Sequence, residues 1–543
     1  MRLLFLIFAI ISSSCATISP ENIVKQKQKD FVQKQIYKEQ IDTKNKSRFY
    51  NIDLLDINKT SKFSENCIQI NKINISDIRV FKIKDINKIL DRYLNRCNTI
   101  SDLKNLTNEI TNKYIKKGYT TSKAYLKIQD LSDGILDISI LEGKVEKVLA
   151  DDINMVNLYN GYKGRILNLR DLEVALQQGE RLQSQALKME LIPSSLDEHT
   201  IIKVSNGSDK NRIYGNIGTN NYGFKKTGKY QIYNNFNLEN PFKINDILNL
   251  NLNFTNKVFK SNDNTLGTSI SYSVPYERFL FDIYYNYSNY KQINNDEFGT
   301  IFKTDGSNNS KGINLSYKTF HSLDHTLEFI LRYDNKKSKN FLNNIKLDLQ
   351  SYSSSSLGIG FRHSYKGGEF DYYSQLLIYK GVDGSKDKEA SAKIYYDKYV
   401  VDLGFNRYFN TDNYLKYNFY LRGQYSNDEL FGSDEISMGG IYSVRGFKNT
   451  GLSGSSGFYT RNELSVQYKI KDAIFMPYLA VDYGYVKKDK NSIFGKITGS
   501  SIGSRIYLDR LNLELFYNIP LRDTDYTKEH SSKFFGFNIV YNY

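Results

Sequence analysis

From about residue 210 to its end, the chain alternates apolar and polar residues in short runs. "LNLNLNF" at 248–254, "TLEFILRYD" at 326–334 and "LKYNFYLRGQY" at 415–425 all have period two. In the last of these, Leu415, Tyr417, Phe419, Leu421 and Tyr425 share one face; Lys416, Asn418, Tyr420, Arg422 and Gln424 share the other. Successive strand residues point to opposite sides, so one face tolerates lipid and the other is wet. A barrel around an aqueous lumen reads this way. A soluble sandwich alternates too, and no single strand decides. The C-terminal run helps: "SKFFGFNIVYNY" sets Phe535, Phe537, Ile539, Tyr541 and Tyr543 on one face. An aromatic last residue suits an outer-membrane strand. At about ten residues per strand plus loops, the region accommodates roughly sixteen antiparallel strands.

Upstream the period changes. "CIQINKINI" places Ile68, Ile70, Ile73 and Ile75 on a strand-like footing. Helical patterns follow near 85–95 and 101–117, the second with Ser101 as its expected N-cap and Gly118 as its stop. "KAYLKIQ" and "GILDISILEG" then read as strands joined at Ser132-Asp133-Gly134. The order β-α-α-β-β makes a small α+β module over 63–143. A second module over 144–208 runs from "VEKVLA" through the helix "LRDLEVALQQGERLQ" to "ALKMELIP" and "TIIKVSNG". The similar order suggests a weak internal repeat. Residues 21–41 predict a polar helix whose thin stripe (Val24, Phe31, Val32, Ile36, Ile41) suits solvent or a wet channel rather than a dry core. Residues 42–62 read as a linker. The opening "MRLLFLIFAIISSSCATIS" has the pattern of a secretory signal peptide, residues 1–16, cleaved after Ala16. A lipoprotein acylated on Cys15 is the alternative.

Composition supports the β reading. Aromatic residues make up 14% of the 543, with 44 Tyr, 32 Phe, 35 Gly and only 6 Pro. The mean hydropathy of −0.51 and the lack of an apolar run near the ~20 residues of a spanning helix exclude a helical membrane protein. Past the leader two cysteines remain, Cys67 and Cys97, which in an oxidising compartment most simply form one disulfide; buried free thiols are the alternative. A net charge of +15 raises nucleic acid as a partner. The lysines are scattered among Asn and Ile, with no arginine-rich or aromatic-interleaved stripe, so the charge reads as solvated surface and a cationic lumen. No phosphate-cradling glycine loop or nucleophile elbow is present. His321 and His325 have ligand spacing only on a helix, and "HSLDH" reads as a turn. Neither enzyme activity, metal nor cofactor is expected.

Counting strands back from the end gives about 533–543, 510–520, 496–508, 474–486, 458–469 and 415–425. If the last strand runs toward the periplasm, the long segment between 426 and 457 is an outer loop. It carries "MGGIYSVRGF", with Arg445 among small residues. A loop outside could carry any charge. One folded into the pore needs a carboxylate for this cation.

These residues resemble the two-partner secretion transporters of Gram-negative outer membranes, the haemolysin activation/secretion proteins. "KKGYTTSKAYLKIQDLSDGILDISILEGKVEKV" looks like the end of that family's first periplasmic POTRA domain, and Cys67 and Cys97 fall where it often has paired cysteines. "LNLRDLEVALQQGERLQSQALKMELIP" is similar to the second POTRA domain. "GGIYSVRGF" followed by "RNEL" matches the conserved loop and next strand. The resemblance implies a transmembrane β-barrel of about 16 antiparallel strands (209–543), preceded by two α+β POTRA domains and an N-terminal plug helix at 21–41. It implies a monomer in outer-membrane lipid that exports one large unfolded exoprotein and binds no nucleic acid. It also implies that the sixth outer loop, with Val444, Arg445, Gly446 and Phe447, folds into the lumen, where Arg445 pairs with an aspartate in the pattern F-x-D-x-G. Asp482 and Gly484 fit that pattern; Ala480 stands where the family has Phe. A barrel-assembly insertase of the same superfamily and a passive pore are the rival readings. Insertases usually carry more POTRA modules, and a passive pore needs none.

N-terminal sequencing of the protein recovered from outer membranes is expected to begin at Thr17. A lipid-modified Cys15 at the terminus would establish the lipoprotein alternative.

Overall fold

The computed structural model describes residues 54–56, 67–150, 157–224, 227–256, 263–295, 301–322, 324–409, 414–448, 450–490, 492–528 and 533–543. The expected signal peptide (1–16, with Cys15), the helix at 21–41 and most of the linker at 42–62 lie outside these residues.

The first module has more pieces than its hydrophobic pattern predicts. The isoleucine-rich run is two strands, Ile68–Ile70 and Lys72–Ser76, rather than one. The first of them pairs with a short strand, Arg96–Asn98, that sequence reading missed. This pairing sets Gln69 opposite Cys97, and Cys67 is bonded to Cys97 with their Cα atoms 5.3 Å apart. The second strand joins a three-stranded sheet, parallel to Ile135–Leu141, which is antiparallel to Lys123–Leu126. Helices Ile83–Leu90 and Ile100–Lys116 cover one face. The first helix ends at Leu90, short of the expected residue 95; beyond it the backbone turns at Asn95, φ +58°, whose N–H donates to the Ile70 carbonyl at 2.7 Å. Thr99, not Ser101, caps the second. Its hydroxyl accepts from the Asp102 N–H (3.2 Å) while the Asp102 carboxylate accepts from the Thr99 N–H (2.9 Å), so two orphan amides are satisfied reciprocally. Ile70, Ile86, Leu106, Ile110 and Leu136 form the core. Beside it, buried Glu142 accepts from the amides of Arg79 and Val80 and from the Tyr114 hydroxyl, each within 2.9 Å. Burial, reinforced by that carboxylate, pushes the Tyr114 phenol well above its ordinary range.

The second module contains strands Lys144–Ala150, Leu187–Pro193 and His199–Asn206 under helix Leu169–Gly179. Its helix ends four residues before the patterned stretch does. The amides of Gln183 and Ser184 donate instead to Glu239, a fully buried carboxylate of the barrel, at 2.6 and 2.8 Å. A second tie runs through Asn157: its carbonyl accepts from the Glu277 N–H (2.8 Å), and its side chain donates to the Pro275 carbonyl (2.7 Å) and accepts from Asn245 (3.0 Å). Arg278 pairs with Asp171. Polar groups buried in this joint are satisfied across it, which fixes the module against the barrel rim.

The barrel closes from Ile213–Asn220 to Phe534–Asn542 with sixteen antiparallel strands, each bonded to its neighbour. The closing seam is short, running from Asn216 opposite Asn542 to Asn220 opposite Asn538. Asn221 extends it, donating to the Phe535 carbonyl and accepting from the Phe537 N–H. Strands are unequal: Ile301–His321 has 21 residues, about twice what a tilted strand needs to cross a bilayer, so this part of the wall projects past the lipid. Period-two residues such as Leu357, Ile359 and Phe361 point outward and are exposed to lipid. Their neighbours face a lumen laced with ion pairs, including Arg332–Asp334, Arg362–Glu328 and Arg422–Asp402. Each of these lumenal cations is paired with an acid, on its own strand in Arg332–Asp334 and on the neighbouring strand in the other two.

Replacing Cys67 and Cys97 with Ala removes a cross-link between residues 30 apart. Loop-closure entropy sets the expected loss of first-module stability at about 3.5 kcal/mol. Amide exchange in helix Ile100–Lys116 of the full-length protein should speed up accordingly; an unchanged rate would show that the bond adds nothing.

Candidate functional site

The eleventh and twelfth barrel strands, Leu415–Tyr425 and Gly457–Val466, are joined by a long outer segment. Instead of standing in solvent it turns inward as a hairpin, with Ile436–Met438 pairing antiparallel to Leu452–Gly454. Between these limbs lies the tip that carries Val444, Arg445, Gly446 and Phe447.

Each residue of the tip meets a different demand. Val444 and Phe447 are fully buried in an apolar cluster with Ile436, Met438, Leu452, Tyr459, Val486 and Ile497. Gly446 has φ +105°, and a Cβ there would lie 2.8 Å from the Pro520 nitrogen. Only glycine combines that backbone angle with that closeness to the wall. Arg445, 3% exposed, spends its donors on the thirteenth and twelfth strands. Its Nε and Nη2 grip both oxygens of Asp482 at 2.6 and 2.7 Å, and its own backbone N–H donates to Asp482 at 3.0 Å. Its Nη1 donates to Glu463 at 2.8 Å, and Nη2 reaches the Asn462 carbonyl at 3.3 Å. A planar guanidinium fits this fork; an ammonium would not.

The charges continue along the wall. Arg505 donates to both oxygens of Glu463 (2.6 and 3.1 Å) and to Glu514 (3.0 Å), and its guanidinium lies 4.2 Å from the Tyr478 ring centre. Three carboxylates therefore face two guanidiniums across four adjacent strands. Gly484 sits under the loop, where a Cβ would meet the Met438 sulfur at 2.4 Å and Val444 at 2.9 Å. Gly499 is tighter still: a Cβ would lie 1.5 Å from the Arg445 carbonyl oxygen.

The structure thus places Arg445, Asp482 and Gly484 together. Ala480, the departure from the family pattern, faces the lumen among Tyr222, Tyr478, Phe516 and Phe534, with Ile441 and Tyr442 of the loop packed against them. Neighbouring rings line the wall where the pattern has a phenylalanine. Glu463, Arg505, Glu514 and Gly499 were missed by sequence reasoning. Glu463 lies within "RNEL", on the inward parity of its strand and opposite Ala480; alternation alone could have flagged it. His325 and His363 stack at the base of the barrel, with Nδ1 and Nε2 3.2 Å apart, and among the described residues no third ligand-type side chain joins them.

A closed sixteen-strand barrel with such modules before it and a loop drawn into its lumen defines a class: transporters of the Gram-negative outer membrane, with the small modules in the periplasm. Residues 198–506 match the family described as haemolysin secretion/activation protein ShlB/FhaC/HecB. Residues 68–143 match the ShlB-type POTRA domain, and 137–193 match a POTRA domain. The chain belongs to this family of two-partner secretion transporters. It is 28% identical over 460 residues to the outer membrane transporter CdiB of Dickeya dadantii, covering 81% of each chain. It is equally similar, at 28% over 445 residues, to the hemolysin transporter protein HpmB of Proteus mirabilis, covering 79% of this chain and 77% of that one. Among solved structures, CdiB from Acinetobacter baumannii superposes with a TM-score of 0.80 at 25% identity, covering 95% of this chain and 98% of that one. CdiB from Escherichia coli has the same fold, with a TM-score of 0.85 at 23% identity over 97% and 99% of the two chains.

The contact at Gly499 gives a test that leaves every charge in place. Gly499→Ala is expected to expel the tip, so that a cysteine put at buried Ser443 reacts with a membrane-impermeant maleimide while the same cysteine in the parent does not. Equal protection in both would show that the wall can yield at this point.

Proposed function

We propose that the chain secretes one large exoprotein: its POTRA modules capture an extended segment, the chain threads unfolded through the lumen, and folding outside makes the passage directional. The observation that carries this reading is the nature of the obstruction. The lumen is crossed by a loop whose tip is held by charge pairs and by its own apolar side chains, Val444 and Phe447, packed against the wall. Such a loop is removable in a way that a packed core is not. A passive pore needs no removable obstruction and no capture modules. An insertase reading has no support from the module number, since only two modules precede the barrel among the described residues.

Capture by strand addition fits the sheet edges. Lys123–Leu126 in the first module and Leu187–Pro193 in the second are edge strands. Exposed Tyr125 and Leu126 lie on the first, with Ile128 just beyond it; exposed Ile192 lies on the second, with Leu196 beyond it. An extended peptide would gain main-chain bonds along either edge and apolar contacts beside it. The helix expected at 21–41 would leave the lumen as cargo enters. No step calls for catalysis or a cofactor, and the lumen offers no reason for more than one subunit. An exoprotein of the haemolysin or adhesin kind fits this route.

Deleting the coding sequence and comparing culture-supernatant proteins by mass spectrometry tests the proposal; it predicts the loss of one large protein, and an unchanged supernatant would sink it. The role of the tip is tested separately. Arg445→Ala leaves Asp482 buried without its counter-ion, an imbalance of about 3–5 kcal/mol against the docked loop. Arg445→Ala and Asp482→Ala are each expected to abolish secretion while the barrel still inserts. Secretion at the parental level in both would remove the tip pairing from the mechanism.

A further inference from the structure

The loop is held at a second station, far from Arg445 around the ring. Asp434, on the descending limb, is fully buried. Its carboxylate is met by two lysines of the barrel wall, Lys336 of the strand His325–Leu342 and Lys398 of the strand Asp397–Phe409, the latter at 3.1 Å. Between those strands, Ser354 donates its hydroxyl to the other carboxylate oxygen at 3.0 Å. Lys336 also donates to the Ser433 carbonyl at 3.1 Å.

Neighbouring contacts fix the backbone on either side. Phe431 stacks on Tyr352 with ring centres 4.3 Å apart and planes 14° off parallel, and the Tyr352 hydroxyl accepts from the Ser433 N–H at 2.9 Å. Gln424 donates to the Asp434 carbonyl (2.9 Å) and to the Ser455 carbonyl (3.1 Å), joining the two limbs. All these wall residues come from the seventh to eleventh strands, near their outer ends, whereas the Arg445 station uses the twelfth to fifteenth. The two stations lie on different arcs of the barrel, and the hairpin Ile436–Met438/Leu452–Gly454 connects them.

We propose that Asp434, with Lys336 and Lys398, is a second positioning station that holds the loop across the outer mouth of the lumen and must let go, independently of Arg445, before the channel opens. The polarity is reversed relative to the tip: there a loop cation is gripped by wall carboxylates, here a loop carboxylate is gripped by wall cations. Neither station can substitute for the other, because each wall would repel the other's charge. Releasing only the tip therefore leaves the base of the loop spanning the mouth. Without Asp434 the two lysines face each other with their shared carboxylate gone, which favours an undocked base.

The test uses full-length protein, external chymotrypsin on intact cells and potassium chloride conductance in planar bilayers. Asp434→Asn is expected to raise the rate of chymotryptic cleavage after Leu430 or Phe431, both buried at the docked base, about tenfold or more, since cleavage follows the open population. It should also increase the frequency of open-channel events, and Asp434→Asn combined with Arg445→Ala should conduct more than either alone. Lys336→Met/Lys398→Met makes the same prediction from the wall side, and Asp434→Glu should behave as the parent. Heat-modifiable migration on gels confirms that each barrel is folded before it is scored. Parental cleavage and conductance in folded Asp434→Asn overturn the proposal, as does a loosened Asp434→Asn beside an unaffected double-lysine variant.

Discussion

A guanidinium cannot be taken out of water unless carboxylates meet it, and Arg445 is out of water. Most of the local architecture follows from that constraint. Asp482 must present both oxygens, which orients it toward the loop rather than along its strand. Glu463 takes the third direction of the fork and thereby places a second acid close to the first. That pair of acids would be unfavourable alone, and Arg505 lies against Glu463 on the far side. Glu514 and the face of Tyr478 complete the surroundings of Arg505. The glycines obey the same demand from the backbone side. For the fork to reach Asp482, the Arg445 carbonyl has to pass where any side chain at position 499 would stand.

Buried ion pairs of this kind are poor sources of net stability, because desolvation offsets most of the attraction. They are good at selecting one arrangement, since a misplaced charge is costly. The loop combines this with an apolar anchor: Val444 and Phe447 contribute the burial that the charges do not, at a rough 1.5–3 kcal/mol per large side chain. Position is thus set by charge and affinity by apolar area. An all-apolar tip would bind the wall in several registers, and an all-polar one would exchange with water.

The barrel was legible because its physics is periodic. The alternation in Leu415–Tyr425 gave strand, faces and register together, and the wet face carries Arg422 and Tyr420 onto Asp402. The parity of strands from the C-terminus then assigned the loop to the outside. Contacts between distant strands were not legible. Glu463 and Asp482 are adjacent only through the pairing of Arg461 with Asp482, and no local pattern records that register. Gly499 looks like any strand glycine until a carbonyl from a loop fifty residues earlier is placed on it. The missed strand at Arg96–Asn98 is too short for any period to show. Ser101 was chosen as a cap because it begins the apolar pattern. The reciprocal bonds of Thr99 and Asp102 decide otherwise.

Where motion can occur follows from what is tied. The second module is bound to the barrel rim through groups that are buried and mutually satisfied, Glu239 and Asn157 above all. Swinging it away would exchange all of these bonds for bonds to water at once, at a net of roughly 0.5–1.5 kcal/mol each. The barrel wall is a continuous ladder of backbone bonds and yields even less readily. The loop differs in kind. Its restraints at the tip are side-chain pairs facing a polar lumen, where water and the wall's other charges can receive each partner on release. The lumen is therefore most cheaply opened by moving the loop, with the modules and the wall staying in place.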